Sequence, residues 1–399
     1  MRVALLSLIE RAGDDPETPL ATLSLAGHSL AERQLELVLE LACERIVCIS
    51  GGLGRDLIAL QHQAESSGAR FNLIAGPRQL AGLVNTADEL VVVAPGLLPA
   101  ASEAKAGLAG GNGVLVLPVE TGIAAGFERI DLNYAWAGVL AMPGTLVERL
   151  NQLPADCDAI SALLRIALQG RVPERSLPEA VLAERRWAMV TSRAKLAEIE
   201  PEWFRRHVAP PSAFAPGRAL ARLGMRNFGG NLLARGWKPA FLTAGGVVLA
   251  ALGLVAAWFE QPAVALISCG LGWLSLEAGK ALASLAQAGS VGAKGGGRVM
   301  PLAALLVDLA LIVVLASALP GTRAERLFAP LVLIGTTTLA GRVITAKWAE
   351  IGQDRAALAL LLALASLGGV LLPVIQLLAL AAIAAMLGFS RGSAQITRA

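Results

Sequence analysis

A few charged side chains within a strongly apolar stretch are the residues of this sequence best suited to chemistry. Glu277 and Lys280 lie three residues apart, a spacing that puts both on one face of a helix, and Asp308 stands alone in another apolar run. Lys294 and Arg298 are four residues apart, with no acidic residue near them. Two such cations can bind a phosphate or a phospholipid head group at a membrane surface.

Each of these groups also has a structural interpretation. Lys294 and Arg298 can reflect the excess of basic residues on the cytoplasmic side of membrane proteins. Glu277 and Lys280 can form an ion pair that tolerates burial. A charge inside a membrane span is costly and usually faces the bundle interior. Asp308 can therefore have a functional role or hold helices together. Alternatively, it is only paired inside the bundle, or its side chain reaches the membrane interface. Both interpretations stay open for these residues.

The composition indicates that a large part of the chain avoids water. The 399 residues are 16% charged and 55% hydrophobic, whereas soluble domains carry about 25% charged residues. Residues 239–399 hold 10 basic and 6 acidic side chains, against 24 and 25 in residues 1–238. We therefore expect a soluble first half and a membrane-embedded second half. One tyrosine and three histidines argue against nucleic acid as a partner, and four scattered cysteines argue against a metal site.

The membrane half contains five apolar regions, and the last is long enough for two helices. The regions are residues 239–259, 262–288, 299–319, 328–346 and 356–389, and Gly368, Gly369 and Pro373 divide the last one. This pattern predicts an all-α bundle of six transmembrane spans. The distribution of basic residues between the spans predicts that the N-terminal domain and the C-terminus are both cytoplasmic. We expect a multi-pass protein of the cell inner membrane.

A basic segment, residues 207–238, joins the two halves. Residues 203–238 contain seven basic side chains and no acidic one. The part that starts at Leu220 is typical of an amphipathic helix that lies on an anionic lipid surface, although the same charges fit a simple positive-inside bias. Both interpretations place the segment at the cytoplasmic membrane surface.

The soluble half, residues 1–206, alternates apolar strand-like runs with helical stretches. The strand candidates are residues 3–8, 45–50, 89–94 and 113–118, and a helical pattern begins at Leu30. Buried parallel strands joined by helices predict a doubly wound α/β sheet. Ligands of such sheets bind beyond the carboxyl ends of the strands.

Two segments of this half resemble the sugar- and alcohol-phosphate nucleotidyltransferases. They are residues 19–37, around a Gly27-His28 turn, and residues 44–51. The resemblance implies a glycine-rich phosphate loop, a lysine and two metal-binding aspartates. Here the loop is residues 7–15, Thr18 stands at the lysine position, Gly96 replaces one aspartate, and residues 187–190 replace the other. Without these groups we expect no nucleotidyl transfer, because that chemistry depends on positioning and charge neutralisation.

The membrane half resembles the CDP-alcohol phosphotransferases, whose motif is D-x2-D-G-x2-A-R-x8-G-x3-D-x3-D. Gly279 and Gly292 match its two glycines at the family's spacing. The four aspartate positions of the motif are occupied by Ser275, Ala278, Gly296 and Met300. The resemblance therefore implies the family's six-span fold with none of its metal-binding carboxylates.

Taken together, the two resemblances imply a degenerate relative of fused enzymes that make a CDP-linked alcohol and then use it. We expect a pseudoenzyme that binds or scaffolds in phospholipid or inositol-lipid synthesis, without a cofactor. Its partners would be an anionic lipid surface and a second copy or an active paralogue. One alternative is an active transferase that uses Asp308, Glu277 and the basic loop, with Mg²⁺ or Mn²⁺ only in that case. The other alternative is an unrelated transporter.

Overall fold

A computed structural model describes residues 1–52, 54–154, 157–287, 299–343 and 350–396. The chain divides into two compact units. The first contains Met1–Trp203, and the second contains Phe204–Leu285 and the helices that begin after residue 298.

The first unit is built on a mixed sheet, with short hairpins beside it. In chain order the strands are β1 (Arg2–Ser7), β2 (Arg11–Ala12), β3 (Asp15–Pro19), β4 (Ser24–Leu25), β5 (His28–Ser29), β6 (Arg45–Ile49), β7 (Arg70–Ile74), β8 (Glu89–Val93), β9 (Leu97–Leu98), β10 (Gly113–Pro118), β11 (Tyr134–Pro143), β12 (Glu174–Ser176) and β13 (Ala188–Met189). The main sheet has seven strands in the order β12-β10-β11-β8-β1-β6-β7.

The predicted strands form the centre of this sheet, but the sheet is not wholly parallel. Strands β6, β1 and β8 are parallel neighbours, and their apolar residues are buried on both faces. β11 runs antiparallel to both β8 and β10. The expectation of a parallel sheet is therefore corrected at β11, which inserts between β8 and β10 in the reverse direction.

The helices of the first unit cover the sheet, and the first of them begins at a clear capping residue. They are α1 (Leu30–Glu40), α2 (Arg55–Ser66), α3 (Pro77–Ala81), α4 (Ala101–Gly107), α5 (Val119–Ala124), α6 (Ala159–Gln169), α7 (Ala180–Ala183) and α8 (Arg193–His207), the last of which continues into the second unit. Short 3-10 helices occupy Leu20–Thr22 and Gly144–Gln152. Ser29 and Glu32 form a reciprocal capping box at α1, which explains why the predicted helix begins at Leu30.

Helix α1 buries a pair of charged residues. The Arg33 guanidinium donates to the Leu25 carbonyl over 2.7 Å and lies 4.7 Å from the ring centroid of Trp203. Glu36, one turn further on, is 8% exposed, and its Oε1 makes no hydrogen bond with the described residues. Burial raises the pKa of Glu36 to about 7, although the nearby Arg33 charge acts in the opposite direction.

This raised pKa predicts a pH-dependent contribution to stability. The ordinary pKa of the group is 4.5. Between pH 4.5 and about 7 the folded state therefore holds more protons than the unfolded state, and the free energy of unfolding falls as the pH rises through that window. We expect the full chain with Glu36→Gln to melt a few degrees above the unmodified protein at pH 8 and to show no such gain at pH 4.5. An identical pH profile for both proteins would contradict this, and Glu40→Gln, an exposed change on the same helix, is the control.

The second unit is helical throughout most of its described residues. Its helices are α9 (Pro216–Ala234), α10 (Pro239–Trp258), α11 (Pro262–Gln287), α12 (Val299–Ala318), α13 (Arg323–Val343), α14 (Glu350–Gln353), α15 (Arg355–Leu367) and α16 (Leu371–Ile396). The last predicted apolar region divides as expected, because α15 ends before Gly368 and Gly369. The predicted surface segment forms the helix α9.

Three of these helices, α10, α11 and α12, are long and apolar enough to cross a membrane. Helix α15 has 13 residues, and an α-helix of that length spans about 20 Å, less than a hydrocarbon core of about 30 Å. The apolar part of α16, Leu371–Leu387, is also short, and α13 starts with charged residues. Three spans are supported, and the other three of the predicted six are not confirmed.

Helices α10 and α11 pack closely through glycines, as membrane helices commonly do. A Cβ built on Gly246 would lie 2.6 Å from the Gly272 carbonyl oxygen, and one on Gly272 would lie 2.6 Å from the Gly246 carbonyl oxygen. The hydroxyl of Ser268, on α11, also donates to the Leu249 carbonyl over 2.7 Å. Backbone contact between two long apolar helices sets the position of α11, which carries several of the candidate site residues.

Candidate functional site

The second unit contains a polar cavity between its helices, with a volume of about 250 Å³. The residues that line it come from α9, α11, α12, α13, α14 and the start of α15, and they are Arg218, Trp273, Glu277, Lys280, Asp308, Thr338, Gly341, Gln353 and Arg355. Three of the predicted site residues, Glu277, Lys280 and Asp308, are thus brought together in one place. We call this space the polar cavity.

Arg355 forms the most buried part of the polar cavity. Its side chain is 5% exposed, and its Nε donates to Asp308 Oδ1 over 2.9 Å. The guanidinium also donates to the hydroxyls of Thr337 and Thr338, over 2.7 and 2.5 Å. These contacts connect α15 to α12 and α13, so the charge predicted to lie inside a span, Asp308, is paired within the bundle.

Glu277 forms the centre of a second charged group, on α11. Lys280 Nζ lies 2.5 Å from Glu277 Oε1, and Arg218 Nε lies 3.4 Å from Glu277 Oε2. The Arg218 guanidinium also lies 5.9 Å from the ring centroid of Trp273. Lys280 is 41% exposed, whereas Glu277 is 9% exposed, so the lysine stands at the open side of the polar cavity.

A buried carboxylate positions Arg218. Asp354 is completely buried and accepts hydrogen bonds from the backbone N–H groups of Gly217, over 2.6 Å, and Ala357, over 3.1 Å. It therefore caps the N-termini of α9 and α15 together, where the helix dipoles favour a negative charge. This double cap holds the first turn of α9, and with it Arg218, beside the polar cavity.

The motif positions of the membrane half serve packing rather than the polar cavity. Ser275 donates to the Leu242 carbonyl over 2.8 Å. A Cβ on Gly279 would lie 3.2 Å from Thr243 Oγ1, and the same hydroxyl lies 3.7 Å from the sulfur of Met300. These positions therefore lie against α10. Ala278 is half-buried on α11, and Gly292, Lys294, Gly296 and Arg298 lie outside the described residues.

In the first unit, the loop that the sequence resemblance matches with the phosphate loop of the nucleotidyltransferases is held by its own acidic side chains. The Ser7 hydroxyl, at the carboxyl end of β1, donates to Glu10 over 2.7 Å. Burial raises the pKa of Glu10, although the Ser7 hydrogen bond acts in the opposite direction. Asp14 accepts from the backbone N–H groups of Arg193 and Ala194 over 3.0 Å each. Thr18, at the lysine position, donates to Asp15 over 2.6 Å.

The two positions that the sequence resemblance matches with metal-binding aspartates of the nucleotidyltransferases have structural roles here. Gly96 has a φ of +74°, and a Cβ built on it would lie 2.1 Å from the Val190 carbonyl oxygen. Trp187 is buried and donates to the Ala137 carbonyl over 2.7 Å. Across the described parts of the chain, no three His, Cys, Asp or Glu side chains are grouped so that they could hold a metal ion.

Sequence reasoning identified the acidic members of the polar cavity but not its arginines. In the sequence, Arg218 and Arg355 are only two of the basic residues that predict which side of the membrane is cytoplasmic. The signal that could have found Arg355 is the Asp354-Arg355 pair directly before an apolar helix, because an aspartate there is a helix cap and fixes the first turn of that helix.

The chain is thus an α/β sheet domain followed by a helical region with three candidate membrane spans. No protein-family model and no curated protein matches the sequence. Among solved structures, it is similar to a UDP-glucose pyrophosphorylase in complex with UDP-glucose, with 12% identity and a TM-score of 0.39 over 52% of this chain and 99% of that one. It is also similar to the UDP-glucose pyrophosphorylase from Acinetobacter baumanii, with 10% identity and a TM-score of 0.37 over 52% of this chain and 94% of that one.

Proposed function

We propose that this chain is a membrane-bound binding protein whose polar cavity holds an anionic, phosphate-type group. The charge balance of the cavity carries the proposal. Among its described lining residues there are three cations, Arg218, Lys280 and Arg355, and two carboxylates, Glu277 and Asp308. Arg218 shares its carboxylate with Lys280, and its Nε makes no hydrogen bond with the described residues. A phosphate oxygen would accept from the remaining N–H groups of the Arg218 guanidinium and balance the charge of these lining residues.

The proposed role is binding or scaffolding in phospholipid or inositol-lipid synthesis rather than transfer of a phospho-alcohol. Transfer from a CDP-linked donor, as in the family that the membrane half resembles, depends on carboxylates that hold metal ions. Ser275, Gly279 and Met300 instead support contacts with α10. An anionic membrane surface would attract the basic segment before α10. The chain would pair with a second copy or with an active paralogue, and only the paralogue would supply catalysis. We place the α/β unit and the C-terminus in the cytoplasm and the bundle in the inner membrane.

One observation favours an active transferase as a second candidate. Glu277 and Asp308, from α11 and α12, line the same cavity, although each is already paired with a cation. Purified full-length protein should be assayed for CMP release from CDP-alcohols with Mg²⁺ or Mn²⁺, and for CTP use with inositol phosphate. We expect no turnover. Turnover that disappears with Asp308→Asn would replace the binding role with the transferase.

The proposed binding role predicts that replacing Arg218 lowers the affinity of the protein for a phosphate compound. We expect Arg218→Gln to weaken binding of sn-glycerol 3-phosphate to the detergent-solubilised protein about tenfold or more, because a charge-assisted hydrogen bond is worth about 1.5 to 3 kcal/mol. Isothermal titration calorimetry measures the effect. Lys238→Gln removes an exposed cation that does not line the polar cavity and is the matched control. Equal affinities for the two variants, or no binding by the unmodified protein, would contradict the proposal.

A further inference from the structure

An apolar groove lies beside the polar cavity, in the same helical unit. It has a volume of about 320 Å³ and is formed by α9, α11 and α15. Its lining is almost wholly apolar and includes the side chains of Ile267, Leu271, Leu274 and Leu360. We call this space the acyl groove.

The polar cavity and the acyl groove are neighbours on each of these three helices. Arg218 lines the cavity, and Gly217 lines the groove. The same holds for the consecutive residues Trp273 and Leu274 on α11, and for Arg355 and Ala356 on α15. Consecutive residues of a helix project about 100° apart, so the charged space and the apolar space lie on neighbouring faces of the same three helices.

The groove is open along a side that carries exposed apolar side chains. Leu271 is 51% exposed, Leu360 is 55% exposed and Ile267 is 43% exposed. Leu271 and Ile267 belong to α11, one of the candidate membrane spans. An apolar recess on such a helix is open to the hydrocarbon of the bilayer, where an acyl chain is the occupant already present.

We propose that the two spaces together bind one anionic lipid, with its phosphate in the polar cavity and an acyl chain in the acyl groove. This inference rests on the proposed function and adds the class of ligand. The surplus positive charge of the cavity suits a phosphate, and no charged residue in the described lining of the groove would oppose a chain. A soluble phosphate compound would use only the first of the two spaces, so the groove selects the lipid.

The experiment compares a lipid with its water-soluble head group. The probes are nanodiscs of phosphatidylcholine with about 10% phosphatidic acid, an anionic lipid, and sn-glycerol 3-phosphate in detergent. Leu271→Trp fills the groove. Leu252→Trp, on α10, is the matched control, because Leu252 is 53% exposed and does not line the groove.

We expect Leu271→Trp to weaken phosphatidic acid binding about fivefold or more and to leave glycerol 3-phosphate binding unchanged, since the apolar burial of the chain is lost while the anion site is intact. Leu252→Trp should change neither. Phosphatidic acid with a photoreactive group at the chain end should also label α11 or α15 in the unmodified protein, which tests the proposal without any variant.

The two proposals fail in different ways. Suppose that Leu271→Trp binds phosphatidic acid as well as Leu252→Trp does, and that the labels fall outside α9, α11 and α15. The proposal that the groove binds an acyl chain is then wrong, whereas the proposed anion site in the polar cavity is unaffected. If the unmodified protein binds neither probe, the proposed function itself is wrong.

Discussion

Replacing Arg355 with methionine is expected to lower the free energy of unfolding of the helical unit by about 3 to 5 kcal/mol, the usual effect of removing one partner of a buried ion pair. Arg355 is 5% exposed and is the cation paired with Asp308. Its removal leaves a carboxylate inside the bundle without this counter-charge and takes the donor away from Thr337 and Thr338. Thermal and SDS-induced unfolding of the full chain in detergent measure the loss.

The control and the rescue make this prediction specific. Arg326→Met removes an exposed cation of α13 and should change the stability by less than about 0.5 kcal/mol. The double variant Asp308→Asn with Arg355→Met should be more stable than Arg355→Met alone, because the uncompensated charge is gone. Additive effects of the two changes would show that the pair does not interact.

Introducing aspartate at Gly96, the position that the sequence resemblance matches with a metal-binding aspartate of the nucleotidyltransferases, is expected to destabilise the α/β unit by more than about 2 kcal/mol and to produce no nucleotidyl transfer. The φ of +74° is unfavourable for any side chain, and the new Cβ would lie 2.1 Å from the Val190 carbonyl oxygen. Hydrogen exchange followed by mass spectrometry should show faster exchange in β8 and in the Val190 segment.

A second glycine separates backbone strain from the steric clash. Gly68 has a φ of +87°, but a Cβ at this position would have nothing within 4 Å, so Gly68→Ala should cost only about 1 to 2 kcal/mol. Gly96→Ala should cost clearly more than Gly68→Ala. Equal losses would mean that the approach of Val190 does not constrain position 96. Cytidylyl transfer by Gly96→Asp would contradict the prediction that this variant gains no activity.

The parts of the fold that could be predicted are those whose signal is local. β1, β6, β8 and β10 are short apolar runs buried on both faces, and the structure confirms all four. The sequence did not predict the strands β7 and β11, and the reasons are also local. In β7, Arg70 and Asn72 alternate with apolar residues, so no apolar run is visible. In β11, Gly138 interrupts the apolar sequence, has a φ of +87° and lies at a shift in the pairing with β10.

The candidate site was only half predictable because its geometry depends on contacts between distant residues. Glu277, Lys280 and Asp308 are conspicuous in the sequence since they interrupt apolar runs. Arg355 looks like an ordinary residue at a helix end until α15 packs on α12 and α13. Arg218 depends in turn on Asp354, more than a hundred residues later in the chain, so no local pattern assigns it to a site.

The shared cap at Asp354 connects helix α9 to the polar cavity, because one carboxylate accepts hydrogen bonds from the first turns of both α9 and α15. Displacing α9 would break the hydrogen bond between Gly217 and Asp354 and would remove one restraint on the turn that carries Arg355. A ligand that engages both arginines would resist that displacement, and by thermodynamic reciprocity a firmly seated α9 would bind the ligand more tightly. On the proposed lipid surface, a change in lipid charge or curvature that acts on α9 would then change the affinity of the polar cavity for its ligand.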